Sequence, residues 1–237
     1  MLDEAFEALK TYDWGMDPKV LAPIDQAVVK THNDPAARKD LESRLLAVLQ
    51  SQAPRDAKDY VCRQLRTIGT AASVPALEAL LAEAELSHMA RYALERIPEP
   101  QAGQALQRQL SKLSGNLKIG VISSLGVRDQ AASAARSVAL LRGLLQDPDD
   151  AVARAAALAL GDIASEGADK ALASARPRPA LAAVFADASM SCAEKLLAAG
   201  HAREAKGTYQ RLLKNNPPEL VRLAAQRGLK ACQPGAL

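Results

Sequence analysis

Along most of the chain apolar residues recur three and four positions apart, and almost nowhere do they alternate. The clearest instance is residues 147–163. There Val152, Ala156, Ala159, Leu160 and Ile163 fall on one stripe of a helix. Asp147 is placed to cap its start, Pro148 suits the first helical position, and Gly161 is placed to loosen its far end. A short second helix is predicted over 167–172.

Similar stretches run into a glycine or proline at 69, 98, 126, 161 and 200, spaced 29, 28, 35 and 39 residues apart. Each interval holds two helices and their turns. The preceding helices echo one another as well, at 75–81, 102–110 and 138–145, each with a narrow Leu/Ala face. A lone hairpin cannot bury both its faces, so neighbours must stack. The prediction is an all-α, right-handed α-α superhelix: a solenoid of stacked helical hairpins with about twelve to fourteen helices and no sheet. It is read as one domain over 1–237, with capping helices in 1–52, repeats in 53–175, and a further hairpin and closing helix in 176–237. Asp34 and Pro35 open a helix in the first part, and Asn216 is placed to cap the last, with Glu219 at its third position. Residues 233–237 read as a frayed tail. Leu65, Ile68, Leu94, Ile97, Val121, Leu125, Leu141, Leu145, Ala156 and Leu160 are the expected core.

Composition supports this reading. Hydrophobic residues make up 49% of the chain but aromatics 3%, so the apolar content is mostly Ala and Leu, which suits closely approaching helices rather than a β-sandwich. A net charge of +3 is too small to point to nucleic acid. No stretch approaches the ~20 apolar residues that span a bilayer. The opening Met1-Leu2-Asp3-Glu4 lacks the basic-then-apolar pattern of a signal peptide. A soluble chain is expected, either cytoplasmic or exported with its leader removed.

The chemistry-bearing residues are sparse. Cys62, Cys192 and Cys232 form no CxxC pair, and their odd number argues against a disulfide framework. His32, His88 and His201 stand in no metal-binding spacing. Asp147, Asp149 and Asp150 have a simpler role opposing a helix dipole. There is no nucleophile elbow, phosphate loop or dinucleotide motif. No catalytic, cofactor or metal residue is assigned, and a non-enzyme is expected.

Residues 147–163 resemble the short bacterial HEAT repeat, roughly Asp-x-x-x-Val-Arg-x-x-Ala-x-x-Ala-Leu-Gly-x-Ile. Ala153 stands where that pattern usually has Arg, which implies an incomplete polar ladder between repeats. Residues 88–126 look like repeats of the same group, through 90–98 and 118–126. The 193–213 stretch resembles a tetratricopeptide hairpin, with Leu196, Gly200, Ala205 and Tyr209 in place. Such modules often stand beside sugar-active or redox domains in exported proteins. HEAT-built metal-dependent hydroxylases carry His-Glu steps, and this chain has no His-Glu dipeptide. HEAT-like DNA glycosylases lead toward DNA, but the single Trp14 lies at the opposite end of the chain from the basic C-terminal stretch.

The resemblance implies a protein–protein interaction or scaffolding module, because this fold hosts many unrelated partners. The alternative is a HEAT-like lyase, of the kind that handles a tetrapyrrole in the concave groove, or an accessory subunit of an enzyme acting on a small ligand there. In such repeats the second helix of each hairpin lines the concave side. Arg63, Arg66, Arg91, Tyr92 and Lys118 are the candidate partner-binding residues there, beside Asp59, Glu95 and Ser123. A second candidate surface lies near the C-terminus. From Lys195 onward eight basic residues stand against Glu204 and Glu219, and Arg211, Lys214 and Arg227 are its candidate contacts. The expected partner is a protein or peptide, with an acidic one the better match. No nucleic acid and no membrane insertion are expected, and the chain reads as a monomer or weak oligomer.

Overall fold

The computed structural model describes residues 1–128, 131–215 and 217–233, with backbone alone for 131–133. Among the described residues there are fourteen α-helices, five short 3-10 turns and no strand. The chain divides into two compact units, Met1–Leu113 and Ser114–Leu237. The divide falls inside the stretch that reads as a continuous run of repeats.

The first unit holds α1 (Leu2–Leu9), α2 (Ala22–Lys30), α3 (Pro35–Leu49), α4 (Arg55–Ile68), α5 (Val74–Ala79), α6 (Ser87–Leu94) and α7 (Pro100–Gln109). Helix α4 packs on both α3 and α6, and α5 packs on α7. Second helices therefore stack on second helices and first on first, as in a solenoid. Leu65, Ile68, Leu94 and Ile97 are buried between them, joined by Leu77, Leu81 and Leu106.

The second unit holds α8 (Gly115–Val127), α9 (Ala131–Leu144), α10 (Asp150–Ile163), α11 (Glu166–Ser174), α12 (Ala182–Ala198), α13 (Ala202–Lys214) and α14 (Glu219–Ala231). Helices α8, α10 and α12 stack in succession, and α9 and α11 stack beside them. Val121, Leu125, Leu141, Leu145, Ala156 and Leu160 are all buried. Tyr209 is buried against Gly228 of α14, where an added β-carbon would overlap its ring. Gly200 turns the chain between α12 and α13 with φ +86°, a conformation that favours glycine.

Helix starts and stops differ from the sequence reading at three places. The α10 cap is Asp149, whose carboxylate accepts from the Ala151 amide; Asp147 lies outside the helix and accepts from the Asp149 amide. Gly161 does not loosen α10, which runs on to Ile163 and stops at Ala164 in the left-handed conformation (φ 46°). Gly161 is instead buried against the backbone of Ala188 on α12, and Gly126 likewise against Ala159 on α10. Both glycines are crossing points where a side chain would force the helices apart. The last helix starts at Glu219 after Pro218; Asn216 and residues 234–237 lie outside the described residues.

Polar cross-links repeat at the period of the fold. The Arg38 guanidinium donates to the Ile68 and Gly69 carbonyls, closing the C-terminus of α4. One turn later on α3, the buried Glu42 accepts from the Thr70 amide and from the Thr70 and Ser73 hydroxyls. Arg108 bonds Glu78, Lys118 bonds Asp147, Gln146 donates to the Arg176 carbonyl, and Arg178 donates to the Asp147 carbonyl. These pairs are 28 to 31 residues apart. A ladder is thus present although Ala153 supplies no rung: Ala153 is wholly buried among small residues of α10.

Candidate functional site

On α4, Asp59, Arg63 and Arg66 lie at i, i+4 and i+7, one face of one helix. Helix α6 packs beside it and brings Arg91 and Tyr92. The Arg66 guanidinium carbon sits 4.3 Å from the centre of the Tyr92 ring, a cation–π stack that joins the two helices. The Arg66 Nε is buried with no acceptor among the described residues. One carboxylate oxygen of Asp59 is likewise buried without a donor, while its other oxygen lies 3.9 Å from Arg63. Burial holds the Arg91 guanidinium below its ordinary pKa, with Glu95 opposing that shift. The result is a ridge that carries Arg63 and Arg66 on α4 and Arg91 and Tyr92 on α6, joined where Arg66 meets Tyr92, with Asp59 and Glu95 as its acidic members.

Lys118 is half-buried on α8, in the second unit, where it bonds Asp147 at 3.3 Å. Its ammonium ties α8 to the turn before α10. Arg211, on α13, is also turned inward. It donates to Asp169 of α11, which the Thr208 hydroxyl also reaches at 2.6 Å. Asp169 is 14% exposed, so this pair cements α11 to α13. Lys214 and Arg227 are exposed on α13 and α14, and no ion pair reaches them among the described residues. The four arginine and tyrosine candidates of the first unit are brought together. Of the basic residues near the C-terminus, Lys195 is paired with Asp162, Arg211 with Asp169 and Arg222 with Glu219.

The second unit contains a groove of about 820 Å³ lined by Val138, Ile163, Ala164 and Leu196, with Asp162, Glu166, His201 and Glu204 at its polar side. Asp162 is paired with Lys195 and Glu166 with Lys170. Among the described residues no three of His, Cys, Asp and Glu gather as metal ligands would. The thiols of Cys62 and Cys192 are pushed up to about 12 by burial, helped by Asp59 and Asp169 respectively, which leaves both as inert core groups. Burial, then the bond to Asp25, also raises Tyr60 far above the phenol range. No helix among the described residues is long and apolar enough to cross a membrane.

Fold and ridge together define an all-α helical-repeat protein with a guanidinium-rich surface on its second helices. No family model matches the chain, and neither does any curated protein. Among solved structures it is similar to an engineered protein, at 21% identity over 88% of this chain and 96% of that one, with a TM-score of 0.43. A second engineered protein shares 18% identity over 96% of this chain and 71% of that one, with a TM-score of 0.41. Human deoxyhypusine hydroxylase in complex with glycerol shares 14% identity over 98% of this chain and 95% of that one, with a TM-score of 0.35.

Sequence reading missed the hold of Arg38 and Glu42 on the turn after α4, the bond of Lys118 to Asp147 and that of Arg211 to Asp169. A charge on a helical stripe looks the same whether its partner is solvent or a residue thirty to forty positions away.

Proposed function

We propose that the chain is a HEAT-like, non-catalytic interaction module that takes an acidic segment of a protein partner along the α4–α6 ridge. The observation that supports this is Arg66, held over the Tyr92 ring with a buried Nε that lacks an acceptor among the described residues. A carboxylate of the partner would meet the accessible edge of this half-buried guanidinium, and charge-assisted bonds of that kind are stronger than neutral ones. Arg63 and Arg91 flank the same position and extend it along the ridge. Asp59 and Glu95 set register by repelling a carboxylate placed wrongly.

The test is fluorescence anisotropy with a labelled glutamate-rich peptide, against a lysine-rich control. Binding of the acidic peptide that weakens with salt, and that falls at least tenfold in Arg66→Glu, is expected. Tyr92→Leu should weaken binding too, because it frees the guanidinium to turn. Equal binding by wild type and Arg66→Glu would remove the ridge as the site.

A further inference from the structure

Trp14 is the single tryptophan of the chain and is 91% exposed. It sits on a built turn. The Trp14 amide donates to the Asp13 carboxylate at 2.9 Å, the Met16 amide to the Asp13 carbonyl, and the Lys19 amide to the Asp17 carboxylate at 3.0 Å. Gly15 completes it with φ +84°. Met16 and Val20 stand beside the indole in sequence, 41% and 40% exposed. The turn carries two carboxylates in no ion pair among the described residues, Asp13 and Asp17, beside Lys19, while Asp3, Glu4 and Glu7 are paired with Arg44, the N-terminal ammonium and Lys10.

Helix α14 offers the opposite combination. Its inward side is Ala225, with Gly228 against the Tyr209 ring. Leu220, Leu223, Arg227 and Lys230 fall at i, i+3, i+7 and i+10, one stripe on the other side. Leu220 is 81% exposed and Leu223 45%, and Arg227 and Lys230 are exposed as well. Inner helices of both units bury leucines of this kind.

We propose that the chain associates with a second copy of itself, head to tail, by seating Trp14 of one copy on the Leu220–Lys230 stripe of the next. Charge selects this pairing. Two α14 stripes face to face would set Arg227 and Lys230 against their own likes. Two Trp14 turns would do the same with Asp13 and Asp17. Only the unlike pair brings apolar against apolar and acid against base. The Arg227 side chain, one turn beyond Leu223, is placed to lie over the indole face. Such a contact is heterologous, so copies can add in series. It uses none of the α4–α6 ridge.

The lone indole makes the test direct. In low salt the wild type should sediment as larger species as concentration rises, with its fluorescence moving to the blue as the indole leaves water, and salt should reverse both. Trp14→Ala keeps an intact α14, and Arg227→Glu/Lys230→Glu keeps an intact Trp14 turn. Each alone should stay monomeric, with helical circular dichroism equal to wild type. Mixed in equal amounts they should form a one-to-one dimer, and the one remaining indole should shift blue. Association by either variant alone, a mixture that stays monomeric, or a wild type that stays monomeric with an unshifted indole overturns the proposal. Arg66→Glu should leave all of these readings unchanged, which separates this contact from the ridge.

Discussion

A β-carbon placed on Gly161 of α10 would stand 2.7 Å from the carbonyl oxygen of Ala188 on α12. Nothing but hydrogen fits between the two helices there. Gly161→Ala would gain about 1 kcal/mol of helix propensity. The overlap is with backbone, which cannot yield without separating α10 from α12, and overpacking of that kind costs about 1–3 kcal/mol. The net expected result is a lower melting temperature. Gly143 and Gly207 have nothing within 4 Å of an added β-carbon, so alanine there should raise stability by up to ~1 kcal/mol. Equal effects at the three positions would contradict the crossing.

Three residues further on, Ala164 ends α10 at φ 46°. A side chain in that conformation costs about 1 kcal/mol relative to glycine. Ala164→Gly should therefore stabilise the protein in thermal or urea unfolding, although it enlarges the freedom of the unfolded chain. A loss of stability would show that the left-handed cap is not formed.

Glu42 holds the turn after α4 from its place on α3. Glu42→Ala would leave the Thr70 amide and the Thr70 and Ser73 hydroxyls without their acceptor, a loss of about 1–3 kcal/mol for each group left buried and unpaired. Glu42→Gln keeps one acceptor oxygen and should cost less. Urea unfolding of the two variants checks the order, and amide exchange at Thr70 should quicken in Glu42→Ala first.

Arg211 and Lys214 are three residues apart on α13 and should answer charge reversal in opposite ways. Arg211→Glu would set a carboxylate against Asp169 and break charge-assisted bonds, at a cost of about 1.5–3 kcal/mol. Lys214→Glu, on open surface, should stay within ~0.5 kcal/mol of wild type. Similar melting temperatures for the two would mean that Arg211 does not join α13 to α11.

The buried thiols predict an alkaline limb. Cys62 and Cys192 have their ordinary value of 9.0 raised to about 12 in the fold. The folded chain therefore holds the neutral thiol while the unfolded chain ionises. That contribution is full below pH 9 and is lost as pH rises toward 12. Melting temperature should fall across that interval, and less steeply in Cys62→Ala. The half-buried Cys232 should react with a thiol reagent before the other two.

The core was legible because a stripe at helical spacing needs no knowledge of what lies opposite. Leu65, Leu94, Leu141 and Leu160 could be placed from their own neighbours in sequence, and each is wholly buried. The ends of α10 were harder. Three aspartates surround Pro148, and Asp149 takes the cap while Asp147 meets Lys118 from another repeat. Gly161 records a missing side chain without saying whether a turn or a neighbouring helix requires it. The ridge was half legible: Arg63, Arg66, Arg91 and Tyr92 could be assigned to second helices. That Arg66 lies on Tyr92, while Lys118 and Arg211 are tied inward, depends on packing that no local pattern encodes.

The polar cross-links between hairpins span about thirty residues, and that span also bears on how the chain acquires its shape. Closing each link requires a loop of one repeat, and the entropy of closure grows only slowly with length. Contacts of such short reach give a low contact order within each unit, the regime of fast folding. Order can begin at any hairpin and spread to its neighbour, so an emerging chain can settle its first repeats before the later ones exist.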